Sequence, residues 1–226
     1  VRVLGGIVAL ATNSYLFERS GENLVETVPV DFNVLNRALA VSSNGALIAC
    51  GSAIGNKLRV GRIKGDRSGY VELLVDDVPE NAVTGIDFHP SGYWLAVVEG
   101  AADLIHIYRC SDSSVSLEGS YSYAVTNGAR FSRDGKWIVC GFSHDAPTRG
   151  IGVVPFDDAS GVVGVAINPS VTGNVAQDSS YSEFSPSGEF IAADNNNRLV
   201  IWRFKNGAIT LMQSQDSGIP SSGRGV

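Results

Sequence analysis

The sequence has little of what most catalytic, membrane or nucleic-acid-binding chains display. Among its 226 residues there are one methionine, three cysteines and three histidines. No apolar run approaches the roughly 18–20 residues that cross a bilayer as a helix, and no basic segment precedes an apolar stretch near the start. The chain therefore reads as soluble and cytoplasmic unless it belongs to a particle, with no membrane partner. Lys and Arg form no cluster and the formal charge is −6, so counterion release from a phosphate backbone has little to act on. Nucleic acid is not an expected partner. There is no Gly-x-Ser-x-Gly elbow, phosphate-cradling loop, Cys-x-x-Cys pair or His-Glu-x-x-His helix. No cofactor and no metal site are expected from motifs.

Glycine is abundant, at 26 residues, and it is not scattered. Gly5, Gly45, Gly92, Gly135 and Gly188 can be set in register, at intervals of 40, 47, 43 and 53 residues. Two residues after each stands a large apolar side chain: Ile7, Leu47, Trp94, Trp137 and Phe190. Four residues before each are Val1, Val41, Phe88, Phe131 and Phe184. Cys50 and Cys140 share one repeat position, occupied elsewhere by Leu10, Val97 and Ala193, which makes them buried apolar fillers.

Self-similarity every 40 to 53 residues marks a propeller or a solenoid, and each copy is long enough for four short strands. In the third copy these are Val83 to Phe88, Tyr93 to Val98, Leu104 to Arg109 and Val115 to Tyr121, with His89-Pro90-Ser91-Gly92 closing the first hairpin. In the fourth copy the outer strand is expected over Val162 to Ile167. A single such sheet with apolar residues on both faces must be sandwiched between neighbours, and a ring of blades provides that. The expected fold is an all-β propeller of about five four-stranded antiparallel blades, or a slice of a larger one. As one domain over 1–226, its blades are approximately 1–33, 34–78, 79–123, 124–170 and 171–218, with 219–226 returning to close the first.

The copies carrying Phe-[His/Ser]-Pro-Ser-Gly, an aromatic, an aliphatic pair and a strand ending in Ile-Tyr-Arg or Ile-Trp-Arg resemble WD40-like propeller repeats. None has the Gly-His and Trp-Asp pairs of typical WD40 blades, so a eukaryotic adaptor is not expected. Phe131-Ser132-Arg133-Asp134-Gly135-Lys136-Trp137-Ile138-Val139 and Tyr15-Leu16-Phe17-Glu18-Arg19-Ser20-Gly21-Glu22 resemble the two halves of a repeat found in tailed-bacteriophage virion proteins. The same turn also occurs in lactonase-like and periplasmic propellers. The phage resemblance implies a non-catalytic structural module of the virion, associated with the tail, that docks other proteins of a larger assembly through ring faces and blade rims. The outer strands at Gly69 to Val75 and Gly161 to Ile167 carry few charges and fit such docking.

The alternative is a small propeller enzyme or carbohydrate-binding lectin with its ligand at one loop face. Connections between the second and third strands of each blade share that face and supply its candidate ligand-binding residues: Glu99, Asp103, His144, Asp145 and Asp194. The carboxylates could converge on a hard cation, and His144 with Asp145 could exchange protons. His89 and His106 read as structural, without partners at catalytic spacing. On the innermost strands Arg37, Thr84, Arg130 and Glu183 mix charges, without paired carboxylates at matched repeat positions.

Overall fold

A computed structural model describes residues 14–20, 23–30, 36–52, 57–63, 71–77, 79–123, 125–142, 150–169, 181–195 and 198–216. Two strands of the first repeat pair as a ribbon, β1 (Ser14–Ser20) with β2 (Asn23–Val30). Repeat two forms a sheet from β3 (Asn36–Val41), β4 (Leu47–Ser52), β5 (Leu58–Ile63) and β6 (Val71–Asp77). Repeat three supplies β7 (Val83–Phe88), β8 (Trp94–Glu99), β9 (Leu104–Cys110) and β10 (Val115–Ser122). Repeat four supplies β11 (Val125–Phe131), β12 (Trp137–Phe142), β13 (Gly150–Asp157) and β14 (Val162–Val163). Repeat five supplies β15 (Ser182–Phe184), β16 (Phe190–Asn195), β17 (Arg198–Lys205) and β18 (Ala208–Asp216). Each of these four sheets is an antiparallel meander in chain order, and β3, β7, β11 and β15 neighbour one another in succession. This is the all-β propeller that the repeats imply. Among the described residues the only helical element is a 3-10 turn at Gly100–Ala102, and no helix is long and apolar enough to cross a membrane.

The repeated phrase forms the hairpin between the first two strands of each blade. Gly45, Gly92, Gly135 and Gly188 take φ of 70°, 79°, 74° and 73°, and their amides donate to Ser42, His89, Ser132 and Ser185 carbonyls at 2.8–2.9 Å. In three copies the serine at the turn's start also accepts from the amide five residues on, as Ser42 does from Leu47, Ser132 from Trp137 and Ser185 from Phe190. Blade three replaces that serine with His89, whose ring instead reaches the next blade. Its Nε2 lies 3.2 Å from the Gly135 carbonyl, and its ring packs edge-on to Phe131. Burial holds His89 below its ordinary pKa. Its Nδ1 lies 2.7 Å from Ser91 Oγ within its own turn.

Apolar layers lie between adjacent blades. Leu47, Ala49, Leu58 and Val60 of blade two meet Ile86, Phe88, Leu95 and Val97 of blade three. The opposite face of blade three, with Trp94, Ala96, Ile105 and Ile107, meets Phe131, Ile138 and Phe156 of blade four. Val139, Ile151 and Val153 then meet Ile191, Val200, Trp202 and Phe204 of blade five. Cys50, Cys110 and Cys140 are buried and form no disulfide, and burial pushes each thiol up to about 12. Such thiols are apolar fillers and not nucleophiles.

One outer strand is shorter than its composition implies. In repeat four the ladder expected over Val162 to Ile167 stops at Val163 and resumes only as an isolated Val153↔Ile167 bridge. The reason is Pro155 on the neighbouring strand. Its carbonyl accepts from the Gly164 amide at 2.9 Å, but proline has no N–H to return.

Candidate functional site

Three successive innermost strands carry Asp87 on β7, Arg130 on β11 and Glu183 on β15. Each stands five residues before its turn glycine. They are thus matched repeat positions on three successive innermost strands, and two of them are carboxylates. This corrects the expectation of no paired carboxylates there. Counting from the start of a strand picks out Thr84, but β7 has a register shift between Val83 and Gly85, and β11 has one between Asn127 and Arg130. A bulge advances the side-chain phase, so the residues that line up across blades are fixed by the turn end of the strand.

The inner strands meet closely enough for these side chains to interact. A Cβ on Gly85 would lie 2.5 Å from the Gly128 Cα, so β7 and β11 approach backbone to backbone. The Asp87 carboxylate crosses this junction and accepts from the Phe131 amide at 2.7 Å. Arg130 Nη1 donates back to the Ile86 carbonyl at 2.8 Å, and Arg130 Nε lies 3.3 Å from Glu183 Oε2. Desolvation pushes the Asp87 carboxyl up to about 7, against the opposing pull of Arg130 and of the Phe131 amide. Desolvation also raises Glu183, again against Arg130. The Arg130 guanidinium thus rests on Glu183 and the Ile86 carbonyl and acts on Asp87 through its charge, and both carboxyls resist ionisation.

The loop-face candidates are distributed differently. Glu99 ends β8 and is buried at 4% exposure. Asp103 closes the 3-10 turn after it in the left-handed region, φ 56°, and is exposed. Asp194 lies in blade five, where Oδ1 accepts from the Tyr181 amide at 2.6 Å and the Asp194 amide donates to the Tyr181 carbonyl at 3.0 Å. That pairing anchors the entry to β15. Glu99 and Asp103 thus share one connection of blade three, and Asp194 is engaged two blades away. His144 and Asp145 lie outside the described residues. Among the described residues no group of three His, Cys, Asp or Glu is placed to hold a metal ion.

Sequence reasoning missed the partners of His106. Its Nε2 lies 3.3 Å from Glu99 Oε1, and its Nδ1 lies 2.8 Å from Ser120 Oγ. The signal available was register: on adjacent strands His106 pairs with both Val97 and Ser120, which makes Glu99 its diagonal neighbour on the same face.

A groove of about 1010 Å³ lies on the opposite face, between the turns of blades four and five, lined by Lys136, Trp137, Glu189, Phe204 and Lys205 among others. Glu189 is occupied there by Arg203, at 2.6 Å.

No family model matches the sequence, and no curated protein matches it. Solved structures do. The chain is similar to the periplasmic gluconolactonase of Pseudomonas aeruginosa, with a TM-score of 0.71 and 15% identity, over 93% of this chain and 65% of that one. It is similar to a protein from Bacteroides uniformis described as a proposed 6-phosphogluconolactonase, with a TM-score of 0.69 and 11% identity, over 95% and 71% of the two chains. A Lactobacillus plantarum protein matches with a TM-score of 0.70 and 17% identity, over 92% and 66%. The chain thus spans about two thirds of the length of these structures, and at such identities the likeness shows the propeller fold alone.

These findings overturn the expectation of a non-catalytic bacteriophage tail module in a virion. The similar structures named here include lactonases and no phage protein. The physical reason is visible in the hairpins. The Phe-Ser-x-x-Gly phrase that carried the phage resemblance is spent on a turn hydrogen bond, a serine cap and interblade packing, which any propeller needs whatever its task.

Proposed function

We propose that this chain belongs to a lactone hydrolase acting on a small sugar-derived lactone, with the reaction centred on Asp87 and Arg130. The observation that carries the reading is a carboxyl on an innermost strand, raised to about 7 by burial, whose Phe131 amide contact puts it at the junction with the strand that carries Arg130. A general base works best with a pKa near the operating pH. Ionised Asp87 removes a proton from the water that attacks the lactone carbonyl. Arg130 faces the negative charge that develops on the carbonyl oxygen. As the ring C–O bond breaks, protonated Asp87 returns its proton to the leaving ring oxygen, and the product is the open hydroxy acid. Glu183 holds Arg130 from its far side and limits its swing. The likeness to a gluconolactonase and to a 6-phosphogluconolactonase supports the substrate class.

The test is the initial rate of acid release from glucono-1,5-lactone in a pH-stat. The native protein should exceed the buffer rate, and its activity should rise as pH passes through about 7. Asp87→Asn should lower kcat by about 10²–10⁴ with little change in KM. Because a raised carboxyl pKa favours the folded state below the unfolded value and withdraws that support as pH rises towards 7, the same variant should melt no lower than native at pH 8. A native rate equal to buffer, or equal rates for the folded variant and native protein, would sink the proposal.

A further inference from the structure

Glu99, His106 and Ser120 lie side by side on three consecutive strands of blade three, on the face turned towards blade two. Exposure grades outward along them: Glu99 is buried, the His106 side chain is 13% exposed, and Ser120 on the outer strand is open to solvent. A buried carboxylate, an imidazole and an exposed hydroxyl in that order, at 3.3 Å and 2.8 Å, have the connectivity of a serine nucleophile and its base.

We infer that these three residues form a second reaction centre, separate from the inner-strand carboxyls, in which Ser120 takes an acyl group from a small carboxylic ester. The tautomer with its proton on Nε2, facing the carboxylate, leaves the Nδ1 lone pair towards the Ser120 hydroxyl. In the acylation step the Ser120 proton passes to Nδ1 as Oγ bonds to the ester carbonyl carbon. The ester C–O bond then breaks, and the proton moves from Nδ1 to the departing alcohol. Water repeats the route in the second half, protonating Ser120 and releasing the acid.

Two features set this group apart from an ordinary polar ladder between strands. Among the described residues His106 is the ion-pair partner of Glu99, and a carboxylate desolvated in an apolar layer is costly without a cation. Yet His106 Nε2 makes no aligned hydrogen bond although buried, so the contact gains its full strength only when the imidazole takes up a proton. Such contacts are often long in the unliganded state and tighten as charge develops. β10 is also the outermost strand of its sheet and Ser120 on it is exposed, so an ester can reach the hydroxyl from solvent.

The experiment is labelling of the whole chain with a fluorophosphonate, followed by peptide mass spectrometry, beside a burst assay with p-nitrophenyl acetate. Ser120 should carry the label. Ser120→Ala, at an exposed site, should keep the circular dichroism spectrum and lose both label and burst. His106→Gln should label at least about a hundredfold more slowly. In the native protein the labelling rate should rise with pH through a single deprotonation, a readout that does not depend on any variant folding. Asp87→Asn should label at the native rate, so this centre and the lactonase reading fail independently. An unlabelled Ser120 in the folded native protein, or equal labelling of Ser120 in folded His106→Gln, overturns the inference.

Discussion

Blades three and five are written in the same pattern but are used differently. In blade three the second strand is buried at every residue from Trp94 to Glu99, because apolar side chains on one face enter the layer with blade two and those on the other enter the layer with blade four. In blade five Ile191, Val200, Trp202 and Phe204 are buried in the layer with blade four, whereas Phe190 is 37% and Leu199 49% exposed, and among the described residues no apolar layer forms on that second face. Phe190 occupies the repeat position of Trp94, which is 3% exposed. Identical patterning therefore does not produce identical burial. What a blade residue contributes depends on the neighbour opposite it.

The largest test of that contrast is truncation at the shared position. Trp94 packs on Phe156 and donates from Nε1 to the Asp158 carbonyl at 3.0 Å, so Trp94→Ala should lower unfolding free energy by about 3–5 kcal/mol. Phe190→Ala should cost about 1 kcal/mol or less, in line with its partial exposure. Chemical denaturation of both variants measures the gap, and equal losses would break the comparison.

A smaller effect is expected at the turn glycines. Gly135 and Gly188 have nearly the same φ, 74° and 73°. An added Cβ at Gly135 would lie 1.9 Å from His89 Nε2, but at Gly188 it would meet nothing within 4 Å. Gly188→Ala should therefore carry only the left-handed backbone penalty of about 1–2 kcal/mol. Gly135→Ala adds displacement of the His89 ring, about another 1–3 kcal/mol. Thermal melts that failed to separate the two variants would mean that His89 swings aside without loss.

The smallest effect is a pH dependence confined to the junction of blades three and four. His89 has a folded pKa below its ordinary 6.5 because burial disfavours the imidazolium. Its contribution is full above that value and is lost as pH falls through it, since the unfolded chain takes up a proton that the folded chain resists. The stability difference between native protein and His89→Gln should narrow from pH 8 to pH 5. A difference that stays constant would show that His89 does not titrate with folding.

Much of the fold was legible because its signals are local. Val83–Phe88, Leu58–Ile63 and Ser182–Phe184 form strands where the apolar patterning and the turn chemistry place them. The outer strand of repeat four was not, because its truncation is decided by Pro155 on a neighbouring strand. The candidate sites were less legible still. Asp87 was passed over because a bulge shifts the phase of β7, and His106 because its partners lie seven residues before and fourteen after it, joined only by strand register. Glu99 was singled out as a loop-face residue, but its burial and its imidazole neighbour follow from blade packing.

By itself the sequence determined that this is an all-β chain of repeated hairpins whose apolar residues need neighbours on both sides. Gly, Pro, Ser and alternation act within a few residues, so five copies of one phrase suffice to state them. Only the tertiary structure decided which charges meet. Asp87, Arg130 and Glu183 are separated by 43 and 53 residues in the chain and come together because successive inner strands lie against one another. Their altered proton affinities depend on desolvation and on a guanidinium from an adjacent blade, quantities that exist only once the blades have packed.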